Sequence, residues 1–256
     1  MANKRFIYLI IFFALLKVSI FANSFKDIKE AIDVAGKQRM LTQRFVKDYA
    51  MIGMNITYKD PISDLKKSMK SFDDALLDIE EFTKNDKNIN RVIDSVKKEW
   101  GDVKRILEDK PSKEKLKVLS KKANNLLKLS NDVVVLLKQR SKSNLGEIIN
   151  ISGRQRMLSQ KLASLYLIKS FGIKDIEFKY KLDKNIKLFK DSLDKLSKYE
   201  KNNPEINSLL LKVKSQFMFF EVMSRSNSIF TPSLIYKKSD EILHEMDRVT
   251  KLYTKL

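Results

Sequence analysis

The sequence predicts an all-α chain of two tandem antiparallel four-helix bundles related by an internal repeat of 117 residues. Three observations carry this. Only six Gly and four Pro interrupt 256 residues, which favours long helices over many short strands. Apolar residues recur at spacings of three and four. A ten-residue string occurs twice: A-G-K-Q-R-M-L-T-Q-R from Ala35 and S-G-R-Q-R-M-L-S-Q-K from Ser152. Gly36, Gln38, Arg39, Met40, Leu41 and Gln43 recur unchanged as Gly153, Gln155, Arg156, Met157, Leu158 and Gln160.

The elements follow in order. Residues 1–22 read as a signal peptide, with a basic start at Lys4 and Arg5, an apolar run from Phe6 to Leu16, and a small residue at Ala22. The run is shorter than the roughly 20 residues of a membrane span, although an uncleaved anchor is the alternative. A first helix is expected over residues 26–57, ended by Lys59-Asp60-Pro61, because the residue before a proline is pushed out of helical backbone. Pro61 suits the first turn of the next helix, whose stripe is Ile62, Leu65, Met69, Phe72, Leu76 and Ile79. After the turn at residues 85–88, Ile89, Val92, Val96, Trp100, Val103 and Leu107 form a third stripe. Ser112 is a candidate cap for a fourth helix, with Leu116, Leu119, Ala123, Leu126, Val133 and Leu137 at bundle-seam spacing.

Beyond the motif, the spacing of 117 pairs Tyr49 with Tyr166, Leu65 with Leu182, Phe72 with Phe189, Ile89 with Ile206, Val96 with Val213, Trp100 with Phe217 and Leu126 with Leu243. It slips near the last helix, where Pro232 follows Pro111 by 121. Repeat 1 is assigned residues 23–142 and repeat 2 residues 143–256. Gly146 is a weak breaker, so one long central helix from about Ser112 to about Phe171 is left open. The bundles would then stack end to end; otherwise they lie side by side as a pseudo-dimer.

The net charge is +19, and it falls to +16 once Lys4, Arg5 and Lys17 leave with the signal. Export argues against nucleic acid and towards small anions, acidic polymers or anionic head groups as the targets of this excess. With no cysteine, disulfides and thiolate metal sites are excluded.

On a helix, Gly36, Arg39, Met40 and Gln43 share one face, as do Gly153, Arg156, Met157 and Gln160. Neither motif contains an acid. A guanidinium on such a face needs a partner, either a carboxylate from another helix or an external oxyanion that fits its planar fork. Glycine one turn earlier permits close approach.

The pattern G-x-x-R-M-x-S/T, from Gly36 and again from Gly153, resembles the periplasmic sensor segment of NarX/NarQ-type nitrate sensors. The fuller string is similar to the PilJ-type N-terminal domain of methyl-accepting chemotaxis transducers, which often occurs in tandem. The resemblance implies a periplasmic helical sensor module. Its arginines, Arg39 and Arg156, would bind nitrate or nitrite between equivalent helices. Gly36 and Gly153 would be close-approach positions; from helical spacing alone, Gln43 and Gln160 add neutral donors on the same face. Such receptors continue into a second membrane span and a kinase or methyl-accepting domain, and no such segment is read before Leu256. The expected output therefore runs through a partner chemoreceptor or sensor kinase, with a homodimer among the assemblies left open. The alternative is a non-enzymatic helical scaffold with a basic surface.

Other constellations are weaker. Asp240, Glu241, His244 and Asp247 could imitate a metal site, but a lone histidine among acids on a terminal helix reads as a solvated face. Phe217, Phe219 and Phe220 read as core. Asp73-Asp74 and Glu80-Glu81 read as solubilising charges. No nucleophile–base set is present, so no catalytic residue, metal or cofactor is expected.

Overall fold

The computed structural model describes residues 25–142, 144–225 and 231–256; the expected signal peptide lies outside them. The described residues form eight helices and no strand. They are α1 (Ile28–Gly53), α2 (Pro61–Thr83), α3 (Lys87–Glu108), α4 (Lys113–Ser141), α5 (Asn144–Ser170), α6 (Phe178–Ser197), α7 (Pro204–Met223) and α8 (Thr231–Thr254). No helix among the described residues is long and apolar enough to cross a membrane.

Local chemistry fixes the ends. Asp27 caps α1 by accepting from the Lys29 and Glu30 backbone N–H groups, while Glu30 reaches back to the Lys26 N–H. Asp60 caps α2, which opens on Pro61. Ser112 caps α4 by accepting from the Lys115 N–H at 3.2 Å, as its sequence position predicts.

Helices α1 to α4 pack as one antiparallel set of four, and α5 to α8 as another. Each set is centred on an aromatic stack. Trp100 stacks on Phe45 at 5.0 Å and tilts against Phe72 at 4.6 Å. Phe217 stacks on Phe189 at 3.9 Å. Phe217 and Phe220 are core, as expected, whereas Phe219 faces solvent.

The long shared helix does not form. α4 ends at Lys142, whose φ of 46° is left-handed, and the chain reverses into α5. Gly146 makes the reversal tight, since a Cβ there would lie 2.5 Å from Ser141 Oγ. The bundles consequently lie side by side, with α1 against α5 as the most extensive helix pair. These two helices run parallel: Ile32 meets Gly146, Gly36 meets Gly153, and Gly53 meets Phe171. α8 packs along α1, and α4 along α5, so a pseudo-two-fold axis lies between the central helices.

Burial also refines the repeat. Leu116, Leu119, Ala123, Leu126, Ser130, Val133, Val134 and Leu137 are buried in α4. Their counterparts buried in α8 are Pro232, Ile235, Ser239, Ile242, Met246, Val249, Thr250 and Tyr253. The offset is 116 throughout, so Leu126 corresponds to Ile242 and not to Leu243. The one-residue loss falls between Phe220, which still follows Val103 by 117, and Pro232.

Two glycines of opposite setting test this packing. Gly101 lies exposed inside α3, and a Cβ there would have nothing within 4 Å, so Gly101→Ala should stabilise the chain by about 0.5–1 kcal/mol. Gly36 sits at the α1–α5 crossing, where a Cβ would lie 3.9 Å from Gly153 Cα. Gly36→Leu should cost roughly 1–3 kcal/mol or more through overpacking. Thermal melts of both variants check the contrast.

Candidate functional site: a buried arginine pair at the helix crossing

The site begins with two glycines. A Cβ on Gly36 would lie 3.3 Å from Arg156 Nη2 and 3.4 Å from Arg39 Nη2. A Cβ on Gly153 would lie 3.2 Å from Arg39 Nη2 and 3.4 Å from Arg156 Nη2. The two guanidinium groups therefore meet over the glycine crossing, each one turn from its own glycine, and both arginines are about 1% exposed. Gly36, Arg39, Gly153 and Arg156 form one shared centre.

Gln43 and Gln160 are buried a turn further along but bond elsewhere. The Gln43 amide donates to Thr42 Oγ1, and the Gln160 amide to the Ser239 carbonyl at 3.0 Å. They pack the layer beside the arginines.

The arginines' partners come from matching positions. Arg39 Nη1 donates to Asn131 Oδ1 and to Asn150 Oδ1, both at 2.9 Å, and Nη2 to the Asn150 carbonyl at 3.2 Å. Arg156 Nη1 donates to Asp247 Oδ1 at 2.8 Å, and Nη2 to Asp33 Oδ1 at 2.5 Å and its carbonyl at 3.0 Å. Asp33 and Asn150 are 117 apart; Asn131 and Asp247 are 116 apart. The hydrogen-bond geometry is thus duplicated, but the charge is not. Arg156 has two carboxylates where Arg39 has two neutral amides. The buried Nε of each arginine has no protein partner.

This difference decides the electrostatics. Burial, then repulsion from Arg154 and Arg156, pushes Arg39 down to about 9. Burial opposes charge on Arg156 too, yet Asp33 and Asp247 hold it above its ordinary value. A surface cleft of about 480 Å³, lined in part by Lys26, Asp33, Lys37, Arg156, Asp247 and Lys251, leads to the Arg156 side of the pair.

Further along α1 lies a second charged cluster. Buried Lys47 meets Asp240 at 2.5 Å and sits 3.9 Å from the Tyr236 ring centre. Arg44 lies 3.6 to 3.8 Å from Asp48, Asp64 and Asp240. The Tyr236 hydroxyl donates to Asp48 or Asp64, at 2.9 and 3.0 Å. Asp240 and Asp247 are accordingly counterions to buried cations, Asp247 from a partly exposed position; His244 is exposed. Among the described residues no His/Asp/Glu group is arranged to hold a metal. Asp73 also departs from expectation, accepting from Trp100 Nε1 at 2.6 Å. Sequence reasoning missed Asp33, Asn131, Asn150 and Asp247. The signal that could have found them is the set of acid-for-amide exchanges at repeat-equivalent positions.

Two measurements probe these charges. Arg156→Met strands Asp33 and leaves Asp247 only its exposed pair with Lys251, whereas Arg39→Met strands only amides. Urea denaturation should show the former less stable by roughly 2–4 kcal/mol, below the fully buried range because both carboxylates are partly exposed. The second measurement concerns Asp48, which burial raises from 3.8 to about 6 despite Lys47 and Arg44. The folded state then keeps a proton that the unfolded chain releases, so this contribution is complete below about 4 and is lost as pH climbs through about 6. Relative to Asp48→Asn, the wild type should lose on the order of 1–3 kcal/mol across that window in denaturation curves.

No curated protein and no solved structure matches the chain. Residues 138–249 match the family model "Type IV pili methyl-accepting chemotaxis transducer N-term" (PilJ). The match spans α5 to most of α8 and contains Gly153, Arg156 and Asp247. The resemblance seen in the motif thus extends to a family-model match over these residues, all but a few of them in the second half of the chain.

Proposed function

We propose that this protein is an extracytoplasmic, non-enzymatic sensor module that captures one small oxyanion, of the nitrate or nitrite kind, at the Arg39–Arg156 pair. It signals through a membrane chemoreceptor or sensor kinase. The observation that carries the reading is the uncompensated Arg39: a buried guanidinium facing a second one, with only amides as partners and an unpaired Nε. Asp33 and Asp247 offset the two guanidinium charges taken together, but both lie on Arg156, so the reading rests on Arg39 having no carboxylate among its own hydrogen-bond partners. A planar oxyanion could accept in-plane hydrogen bonds from both forks.

The mechanism follows from the glycine crossing. The guanidinium groups fill the space between α1 and α5, so an anion must enter between them and alter the spacing or register of the two helices. It would do so only to the extent that it binds one arrangement better than the other. Small helix shifts at such an interface are a known form of switching. The PilJ match supports a signalling role, and the cleft beside Arg156 supports access for a hydrated ion.

One observation favours a second reading. The Nη atoms of both arginines already donate to acceptors within the protein, which suits a polar clasp that merely locks two bundles together in a scaffold.

Salt separates the two. As a ligand of the native state, nitrate at about 100 times its Kd should add about 2.7 kcal/mol. That corresponds to roughly 5–10 °C in Tm for a chain of this size, beyond any effect of equal chloride. Arg39→Met should abolish the difference. Equal shifts with nitrite, nitrate and chloride, or calorimetric binding unchanged in Arg39→Met, would sink the sensor reading and leave the clasp.

A further inference from the structure

The pseudo-two-fold axis creates a second comparison, away from the arginine pair. In the α1–α8 side of the molecule, Arg44 is enclosed by Asp48, Asp64 and Asp240, with Tyr236 and Lys47 filling the space. At the equivalent positions on the α4–α5 side stand Lys161 for Arg44, Leu165 for Asp48, Lys181 for Asp64, Asn124 for Asp240, Ser120 for Tyr236 and Ser164 for Lys47. Every carboxylate has gone and the two largest filling side chains have become serine. The cation has stayed: Lys161 Nζ donates to Asn124 Oδ1 at 2.8 Å.

Beside Ser120 lies a cleft of about 710 Å³ between α4, α5 and α6, within the usual size of a small-molecule site. Lys117, Lys161, Lys169, Lys174, Lys181 and Lys184 line it, against one acid, Asp175. That acid is engaged by Lys181 at 2.8 Å. Leu165, Ile168, Ile173 and Phe178 supply an apolar lining, and Ile176 and Tyr180 stand exposed at its edge.

We propose that this cleft binds an organic anion that carries one carboxylate or phosphate head on an apolar body, with Lys161 as the head-group ligand. The head takes the place of the Asp240 carboxylate of the other side, and the apolar body takes the place of the Tyr236 ring. Burial, then repulsion from Lys181, lowers the Lys161 ammonium to about 8, as expected of a cation left without its counterion.

Calorimetry of the purified chain with octanoate and, separately, octyl phosphate tests this and distinguishes the two heads. At least one should bind saturably at a single site, at least tenfold tighter than acetate or inorganic phosphate, and octyltrimethylammonium should not bind. Asn124→Asp restores the missing carboxylate beside Lys161, and Ser120→Tyr restores the missing ring. Each should weaken binding at least tenfold with no fall in Tm, which separates occlusion from misfolding. Arg39→Met should leave binding unchanged, so the outcome is independent of the oxyanion reading. Absence of saturable binding by both amphiphiles, equal binding of the cationic amphiphile, or affinity within twofold of wild type in Asn124→Asp would overturn the proposal.

Discussion

Two cations buried against each other at a helix crossing constrain everything else in this molecule. Arg39 and Arg156 can share that space only because Gly36 and Gly153 leave no side chain between α1 and α5. Burying even one guanidinium is costly without hydrogen bonds and a counterion. The flanking helices answer that demand: α4 brings Asn131, α8 brings Asp247, and the central helices exchange Asn150 and Asp33. The parallel, side-by-side arrangement is what lets each arginine reach across to the opposite helix.

The two sets of four helices share a frame, and exchanges of acids for neutral or basic residues make them differ in charge. Asp33, Asp48, Asp64, Asp240 and Asp247 all belong to the α1–α8 side. Their equivalents on the α4–α5 side are Asn150, Leu165, Lys181, Asn124 and Asn131. One side is therefore internally neutralised, with Lys47 and Arg44 held among carboxylates. On the other, amides stand where carboxylates would be: Arg39 donates to Asn131 and Asn150, and Lys161 to Asn124. Packing is hardly affected, because the apolar seam and the aromatic stacks are retained in both halves. Charge can diverge between two copies of one bundle while the cores, which set the fold, stay equivalent.

Much of this was legible in the sequence. The spacing of three and four, Pro61, Ser112 and the turn clusters located the helices, since capping and amphipathicity are local properties. The repeated motif located Gly36, Arg39, Gly153 and Arg156 on matching faces. Gln43 and Gln160 were grouped with them by helical spacing alone, but their amides turn to Thr42 and Ser239. Asp240 and Asp247 were placed with His244 on a solvated face because the cation their own helix offers, Lys251 beside Asp247, is itself exposed. Their partners lie on α1 and α5, far away in sequence.

By itself, then, the sequence determined an all-helical chain, its apolar seams and two arginines that needed partners. These follow from side-chain type and short-range spacing. Only the tertiary structure decided that the chain reverses at Lys142, that the two arginines form one centre, and that one of them is neutralised while the other is not. Those outcomes depend on which helices become neighbours. That is settled by how two glycine-marked faces bury each other, and no local pattern records it.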